Sequence, residues 1–237
     1  MAKTFRTKLI AGLSVICLIA LASLTARAQE GQGVDPRASF FAGASLLGGG
    51  RTFFIGPKGF TTKFQNGGRF GFRGDFNIRD HWAVEGTYAF ESDGLNVTHT
   101  TPVQSVSNFG THIHQLEANG LYYFTTRGTR FRPFVTVGFG ILRYNPTGDA
   151  RLAAATQFLD QPVALHGETH PDFIPGVGIE AMIVNHIGAR IDLRDHITGL
   201  PRFGLPQNPQ SPNGPQYPIS GTVSNWEISA GVTYHFM

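Results

Sequence analysis

Polar and apolar residues alternate with a period of two along most of this chain, most cleanly at its C-terminal end. Over residues 225–236, Trp226, Ile228, Ala230, Val232, Tyr234 and Phe236 share one side, and Asn225, Glu227, Ser229, Gly231, Thr233 and His235 the other. Successive side chains of a strand point to opposite faces, so this segment predicts a strand with one greasy and one polar surface. Seven earlier segments carry the same rhythm: residues 38–47, 68–77, 82–91, 112–124, 131–144, 172–183 and 187–196. Each is at or somewhat above the roughly 9 to 11 residues that a tilted strand needs to cross a bilayer.

Within these segments the charges sort by face. Arg69, Arg73, Asp75, Glu85, Glu117, Glu180, Arg190, Asp192, Arg194 and Glu227 all fall on the polar side, opposite Phe, Val, Ile and Tyr. That is the distribution of a wall with hydrocarbon outside and a polar interior, because a charge on the lipid face costs about 2 to 4 kcal/mol at the midplane. Arg143 departs from the rule, at a strand end from which it can reach the rim.

The connections alternate in length. Residues 48–67, 92–111, 145–171 and 197–224 are long, whereas 78–81, 125–130 and 184–186 are short. Short periplasmic turns and long outer loops are the habit of outer-membrane barrels, which puts both termini on the periplasmic side. Pro201, Pro206, Pro209, Pro212, Pro215 and Pro218 make the last loop an extended cover rather than a folded domain.

The N-terminus changes the reading of the charge. Lys3, Arg6 and Lys8 precede an apolar run over residues 9–24, followed by Ala26-Arg27-Ala28. This is a secretory signal peptide, residues 1–28, too short in its core for a membrane span of about 20 residues. Its removal takes Cys17, the sole cysteine, and four of the 19 basic residues (Lys3, Arg6, Lys8, Arg27), leaving 15 against 16 acidic ones. Residues 29–237 then form one near-neutral domain with no disulfide, and a nucleic-acid partner loses its electrostatic support.

The end of the chain, Ser229-x-Gly231-x-x-Tyr234-x-Phe236, resembles the signal by which outer-membrane barrels are handed to the barrel assembly machinery; Met237 departs from it, since the final aromatic usually ends the chain. Signal peptide, eight alternating segments, loop rhythm and terminal signal together make the mature chain similar to the small OmpA/OmpX-type outer-membrane β-barrel domain. The resemblance implies an all-β fold, an eight-stranded antiparallel up-and-down transmembrane β-barrel. It further implies a monomer embedded in outer-membrane lipid of a double-membraned bacterium, with membrane-stabilising or adhesive roles and, in a few relatives, lipid-modifying activity. The separate peptidoglycan-binding domain of some relatives is missing.

An eight-stranded barrel is only wide enough for its own side chains. A turn centred on Asn185 pairs Ile183 with Ile187 and sets Glu180 opposite Arg190, a cross-strand ion pair; Arg73 and Glu85 lie at a similar level across another hairpin. Arg73, Asp75, Glu85, Glu117, Glu180, Arg190, Asp192, Arg194 and Glu227 thus form an interior network, read as a structural plug, the alternative being a narrow passive pore for ions or small solutes. No cofactor or metal is expected: His112-x-His114, His166 and His170 lack a convincing third ligand. Catalysis is not expected either, although Asp195, His196 and Thr198 approach the composition of a hydrolytic set. Four long loops leave room for an extracellular ligand. Phe53, Phe54, Ile55 and Phe60 with Leu152, Phe158 and Leu159 form either a contact patch or a cap over the barrel mouth. A soluble secreted barrel would leave the Phe, Val and Ile stripes facing water.

Overall fold

A computed structural model describes residues 35–47, 50–55, 58–100, 103–157, 164–204 and 221–236. Residues 1–34 (the expected signal peptide among them), most of the proline-rich loop, Phe158, Leu159 and Met237 lie outside the described residues. The period-two segments become strands: β1 (Asp35–Leu47), β4 (Gly67–Asn77), β5 (Trp82–Thr100), β6 (Val103–Tyr123), β7 (Phe131–Pro146), β8 (Glu168–Val184), β9 (Ile187–Gly199) and β10 (Thr222–His235). Each pairs antiparallel with its neighbours in the order β5-β4-β1-β10-β9-β8-β7-β6, and β5 pairs back onto β6. The wall therefore closes as an eight-stranded up-and-down barrel, with β1 held by β10 from Arg37↔His235 to Leu47↔Asn225. Closure satisfies the backbone of every wall strand, which a lipid environment demands.

The long connections are more ordered than their lengths suggest. Residues 48–67 contain a hairpin, β2 (Gly50–Ile55) and β3 (Lys58–Phe64), and β3 pairs with the far end of β5 from Phe60↔His99 to Phe64↔Leu95. The connection expected at 92–111 is instead a continuation of β5 and β6, paired as far as Thr100↔Val103. Val97, Thr98, Thr100 and Val103 favour a strand there, and Ser92, Asp93, Gly94 and Asn96, turn residues by composition, are carried inside the paired ladder. The third connection carries a helix, α1 (Gly148–Gln157), started by Thr147, whose Oγ1 accepts the Ala150 amide at 3.2 Å.

Burial is inverted relative to a water-soluble protein. Outward-facing Phe40, Phe72, Val137, Phe139, Ile191, Ile228 and Val232 are about half exposed or more, while most inward side chains are buried. At the end carrying the termini the belt finishes in an aromatic ring: Trp82 lies 5.0 Å from Tyr122, Tyr122 5.6 Å from Phe124, and Tyr234 5.1 Å from Phe236. Among the described residues no helix is long and apolar enough to cross a membrane; the belt is made by strands.

The tight turn after β8 differs from expectation by one step. Val184, not Ile183, pairs with Ile187, and the register shifts between Met182 and Val184. The irregularity absorbs the step before the strand proper, so Glu180 still stands opposite Arg190.

Candidate functional site

The site with the densest chemistry is the lumen, where inward positions of all eight wall strands meet. Nearest the termini, Arg37 of β1 is bonded to Glu180 of β8 and donates to Asn77 Oδ1 at 3.1 Å and Tyr123 Oη at 2.9 Å. Tyr123 in turn donates to Glu180 at 3.2 Å, and His235 Nε2 lies 3.0 Å from the same carboxylate.

The middle layer is a continuous array of guanidinium and carboxylate groups. Arg73 of β4 reaches Asp192 at 2.9 Å, Glu227 at 2.8 Å and Ser229 Oγ at 3.1 Å. Arg190 contacts Glu85 at 2.8 Å, Asp192 at 2.9 Å and Asp75 at 3.5 Å. Arg194 contacts Glu85 at 2.7 Å, Asp192 at 3.0 Å and Glu117 at 3.4 Å. Arg69 continues the array to Glu117 at 2.8 Å and Glu227 at 3.0 Å. His196 finishes it, with Nδ1 2.7 Å from Asp172 and Nε2 3.0 Å from Glu227. Such groups tolerate burial because nearly all of them have two or more opposite neighbours, Asp75 and Asp172 having one each; deleting one member of a buried pair typically costs about 3 to 5 kcal/mol.

The middle array holds Arg69 and eight of the nine residues expected in an interior network, while Glu180 lies in the layer nearest the termini, and partners differ from those the hairpins suggested. Arg73 stands opposite Thr87, and Asp75 opposite Glu85, so Arg73 turns across the lumen rather than along the hairpin. Glu180 and Arg190 share a register position, yet Glu180 is taken by Arg37 and Arg190 by Glu85 and Asp192. In a lumen this narrow a long arginine side chain reaches a facing strand as easily as an adjacent one, and cross-strand register alone does not select its partner.

Sequence reasoning missed Arg37, Phe41, Tyr123, Arg132, Asp172 and Phe203. Arg37 lies just before the segment taken as the first strand. The aromatic residues were missed because the interior is not wholly polar: Phe41 lies 3.7 Å beneath the Arg73 guanidinium, Tyr123 3.9 Å from that of Arg132, and Phe134 4.5 Å from that of Arg190. Flat rings fill the gaps between guanidinium planes while attracting their charge.

Inward glycines provide the room. A Cβ on Gly178 would stand 2.3 Å from Phe134 Cζ, and one on Gly138 1.7 Å from Asn119 Oδ1. The glycines on the polar faces of β7 and β8 therefore mark places where a neighbouring strand's side chain lies flat on the backbone.

Towards the long loops the lumen ends in an apolar cap of Ile113, Leu142, Tyr144 and Phe203. Phe203 comes from the segment after β9, is buried, and holds φ at 53°. Its carbonyl accepts the His166 amide at 2.9 Å. Glu168 ties the segment down by accepting the amides of Arg202 at 2.7 Å and Gly204 at 3.3 Å, with His170 Nε2 at 3.1 Å. Burial raises the pKa of Glu168, but these donors outweigh it and hold the carboxyl below its ordinary value.

The remaining candidates are dispersed. Asp195 faces outward and accepts from Ser224 at 2.5 Å, His196 lies inside between two carboxylates, and Thr198 donates to the Pro171 carbonyl at 2.9 Å. His112 and His114 point outward against Phe90, with ring centroids 5.3 Å away in both cases. No group of three or more potential metal ligands occurs among the described residues. Of the loop apolar residues, Leu152 is exposed on α1; the side chains of Phe53, Phe54, Ile55 and Phe60 lie outside those described. In the terminal signal, Ser229 donates to Glu227 at 2.6 Å and Gly231 leaves room for Phe41, whereas Tyr234 and Phe236 are exposed on the belt.

Solved structures are similar to this chain at low sequence identity. The outer membrane protein OprG of Pseudomonas aeruginosa is 12% identical over 86% of this chain and 96% of its own, with a TM-score of 0.57. Neisserial surface protein A is 10% identical over 86% of this chain and 99% of its own, with a TM-score of 0.46. The N-terminal barrel of Pseudomonas aeruginosa OprF gives 15%, 86%, 99% and 0.39 for the same quantities. At such identities the likeness concerns the fold alone. Among curated proteins, none matches the chain. The sequence model for the outer membrane protein beta-barrel domain, however, matches residues 14–236, nearly the whole of the chain. With its lipid-type belt, closed wall and charged lumen, the chain belongs to the outer-membrane protein β-barrel domain family.

Proposed function

We propose that this protein is a structural, non-conducting barrel of the bacterial outer membrane, with its termini and short turns on the periplasmic side and its long connections outside. The carrying observation is the occupied lumen. Arg73, Arg190 and Arg194 bridge strands through the middle, and Phe203 closes the loop end. A water path would have to displace paired charges, each expensive to leave uncompensated. Planar-bilayer recording of the refolded mature protein tests this: the expected result is no unitary conductance, and reproducible steps would replace the plug with a narrow pore. The non-enzymatic part of the proposal draws on His196, whose two ring nitrogens are both committed to carboxylates and so offer no free base.

A second role, surface contact, is supported by β2, β3 and the far ends of β5 and β6, which run on as one antiparallel sheet past the barrel wall. A sheet held in register is a more rigid platform for a partner than an open loop. Deletion of residues 50–64 is expected to reduce adhesion of cells carrying the protein while leaving the barrel folded; unchanged adhesion would remove this role.

A further inference from the structure

On the outer face of β5 to β8 the apolar belt ends abruptly. Tyr88, Leu116, Ile141 and Pro171 form one lateral row through successive pairings, and the first three are about half exposed. Two residues further towards the long connections the row becomes Phe90, His114, Arg143 and Thr169, again paired one to the next. The row beyond is Ser92, His112 and Asn145. All three rows point away from the lumen, so the surface passes from hydrocarbon-compatible to hydrogen-bonding within a single step.

Arg143 is the anomaly in this surface. It is exposed on the lipid-facing side, its guanidinium Nε donates to Asn145 Oδ1 at 3.3 Å, and among the described residues no carboxylate lies within ion-pair distance of it. Its neighbours are arranged as donors. Tyr88 Oη lies 2.9 Å from His114 Nδ1; where the phenol donates, Nε2 is left as the N–H of the ring. Phe90 packs against both imidazoles at 5.3 Å, fixing their side of the row. Opposed side chains of neighbouring strands start about 5 Å apart, so a phosphate seated on the Arg143 guanidinium has His114 on one side and Thr169 on the other. Guanidinium is the side chain best matched to phosphate, through two parallel N–H···O bonds.

We infer that His114, Arg143 and Thr169 form a binding site for the phosphate of a phosphorylated glucosamine glycolipid of the outer leaflet, with its acyl chains lying along the Tyr88, Leu116 and Ile141 row. The choice of glycolipid rests on the orientation proposed above, which puts this end of the belt in the outer leaflet. It also rests on the polar groups of Thr169, His112 and Asn145 beside the arginine, which suit sugar hydroxyl and amide groups better than a bare phosphodiester. An arginine at the edge of hydrocarbon then has its counter-charge in the lipid rather than in the protein.

The test is native mass spectrometry of the full mature barrel in detergent, with diphosphoryl lipid A, fully dephosphorylated lipid A, phosphatidylglycerol or inorganic phosphate added separately. Wild type is expected to retain one diphosphoryl lipid A at collision energies that strip the other three. Arg143→Gln is expected to lower that retention about tenfold, the scale of one charge-assisted pair, with Arg143→Lys intermediate. Equal retention by wild type and Arg143→Gln, or equal retention of phosphatidylglycerol, overturns the site. Unchanged heat-dependent gel mobility of each variant keeps misfolding out of the comparison. Orientation is read separately, from labelling of Gly148→Cys by a membrane-impermeant maleimide on intact cells. Absence of label there removes the proposed orientation, whereas the retention series decides the binding site.

Discussion

Arg73 of β4 and Glu227 of β10 meet at 2.8 Å across the lumen, with β1 lying between their strands in the wall. The same guanidinium holds Asp192 of β9 at 2.9 Å and covers the Phe41 ring at 3.7 Å. One side chain thereby ties together four wall strands that backbone pairing connects only in sequence. Removing it by Arg73→Ala leaves two buried carboxylates short of a cation and exposes a face of Phe41. The expected loss is about 3 to 5 kcal/mol, read as a lower urea midpoint for unfolding of the refolded barrel in detergent. A midpoint within experimental scatter of wild type would mean that the remaining arginines re-pair without cost.

The middle layer also depends on absent side chains. Gly178→Ala would set a Cβ 2.3 Å from Phe134 Cζ and 2.7 Å from the Ile191 carbonyl oxygen. One of those contacts is backbone, so the ring cannot relieve the clash alone. Overpacking of this kind typically costs about 1 to 3 kcal/mol. The same urea titration should show it, whereas Gly74→Ala, whose Cβ would meet open space, should change the midpoint little.

Architecture was legible in the sequence because lipid outside and charge inside enforce a period of two on every wall strand; six of the eight segments emerge within about four residues of their observed bounds, whereas β5 and β6 each run on by about nine residues into what the sequence suggested was a loop. Partner choice was less legible. Glu180 and Arg190 share a register position, but Arg37 approaches Glu180 from β1, 143 residues away, and no local pattern encodes that distance. Phe203 was invisible for a different reason: it follows Pro201 in a segment without periodicity, and its inward position comes from a left-handed backbone residue and from Glu168, neither of which leaves a compositional trace.

That cap can be loosened without touching the charged layer. Phe203→Ala keeps the strained φ of 53° but loses the ring packed on Tyr144, Ile113 and Leu142. Arg202 is exposed beside it, so trypsin reports opening of the segment directly. Cleavage after Arg202 is expected to be faster by about tenfold or more, since loss of a buried aromatic exceeds the roughly 1.4 kcal/mol that a decade represents. Equal cleavage rates would show that the segment is held by its backbone bonds alone.

The backbone bonds of the cap carry a pH dependence. Glu168 lies past the end of the belt, and its folded pKa is depressed: burial works against the charge, but the Arg202 and Gly204 amides and His170 outweigh it. A depressed carboxylate stabilises the folded form above its unfolded pKa of about 4.3 and loses that contribution as pH falls through the lower folded value. Amide protection factors of Arg202 and Gly204 are therefore expected to be level from neutral pH down to about 5 and to fall below that. Glu168→Gln, which keeps an acceptor without the charge, should flatten the profile and lower protection at neutral pH. A profile unchanged by the substitution would assign the titration to another group.

The last strand allows two roles to be separated within one short stretch. Ser229 bonds Glu227 and Arg73, and Gly231 makes space for Phe41, so both belong to the packed lumen. Tyr234 and Phe236 stand on the outside in edge-to-face contact at 5.1 Å, half exposed or more. Substituting the inner pair changes what the finished barrel contains; substituting the outer pair changes only what an external receptor or lipid meets. Ser229→Ala is accordingly expected to lower the unfolding free energy of the refolded barrel by about 1 kcal/mol, the net worth of a hydrogen bond, read as a lower urea midpoint, with little change in cellular assembly. Phe236→Ala should leave the in vitro midpoint nearly unchanged yet reduce the fraction of heat-modifiable protein in the membrane fraction of cells, because a terminal aromatic read by assembly machinery acts before folding is complete. If Phe236→Ala assembles normally in cells, the terminal pattern is no more than the end of the aromatic ring, and Tyr234 and Phe236 are explained by lipid contact alone.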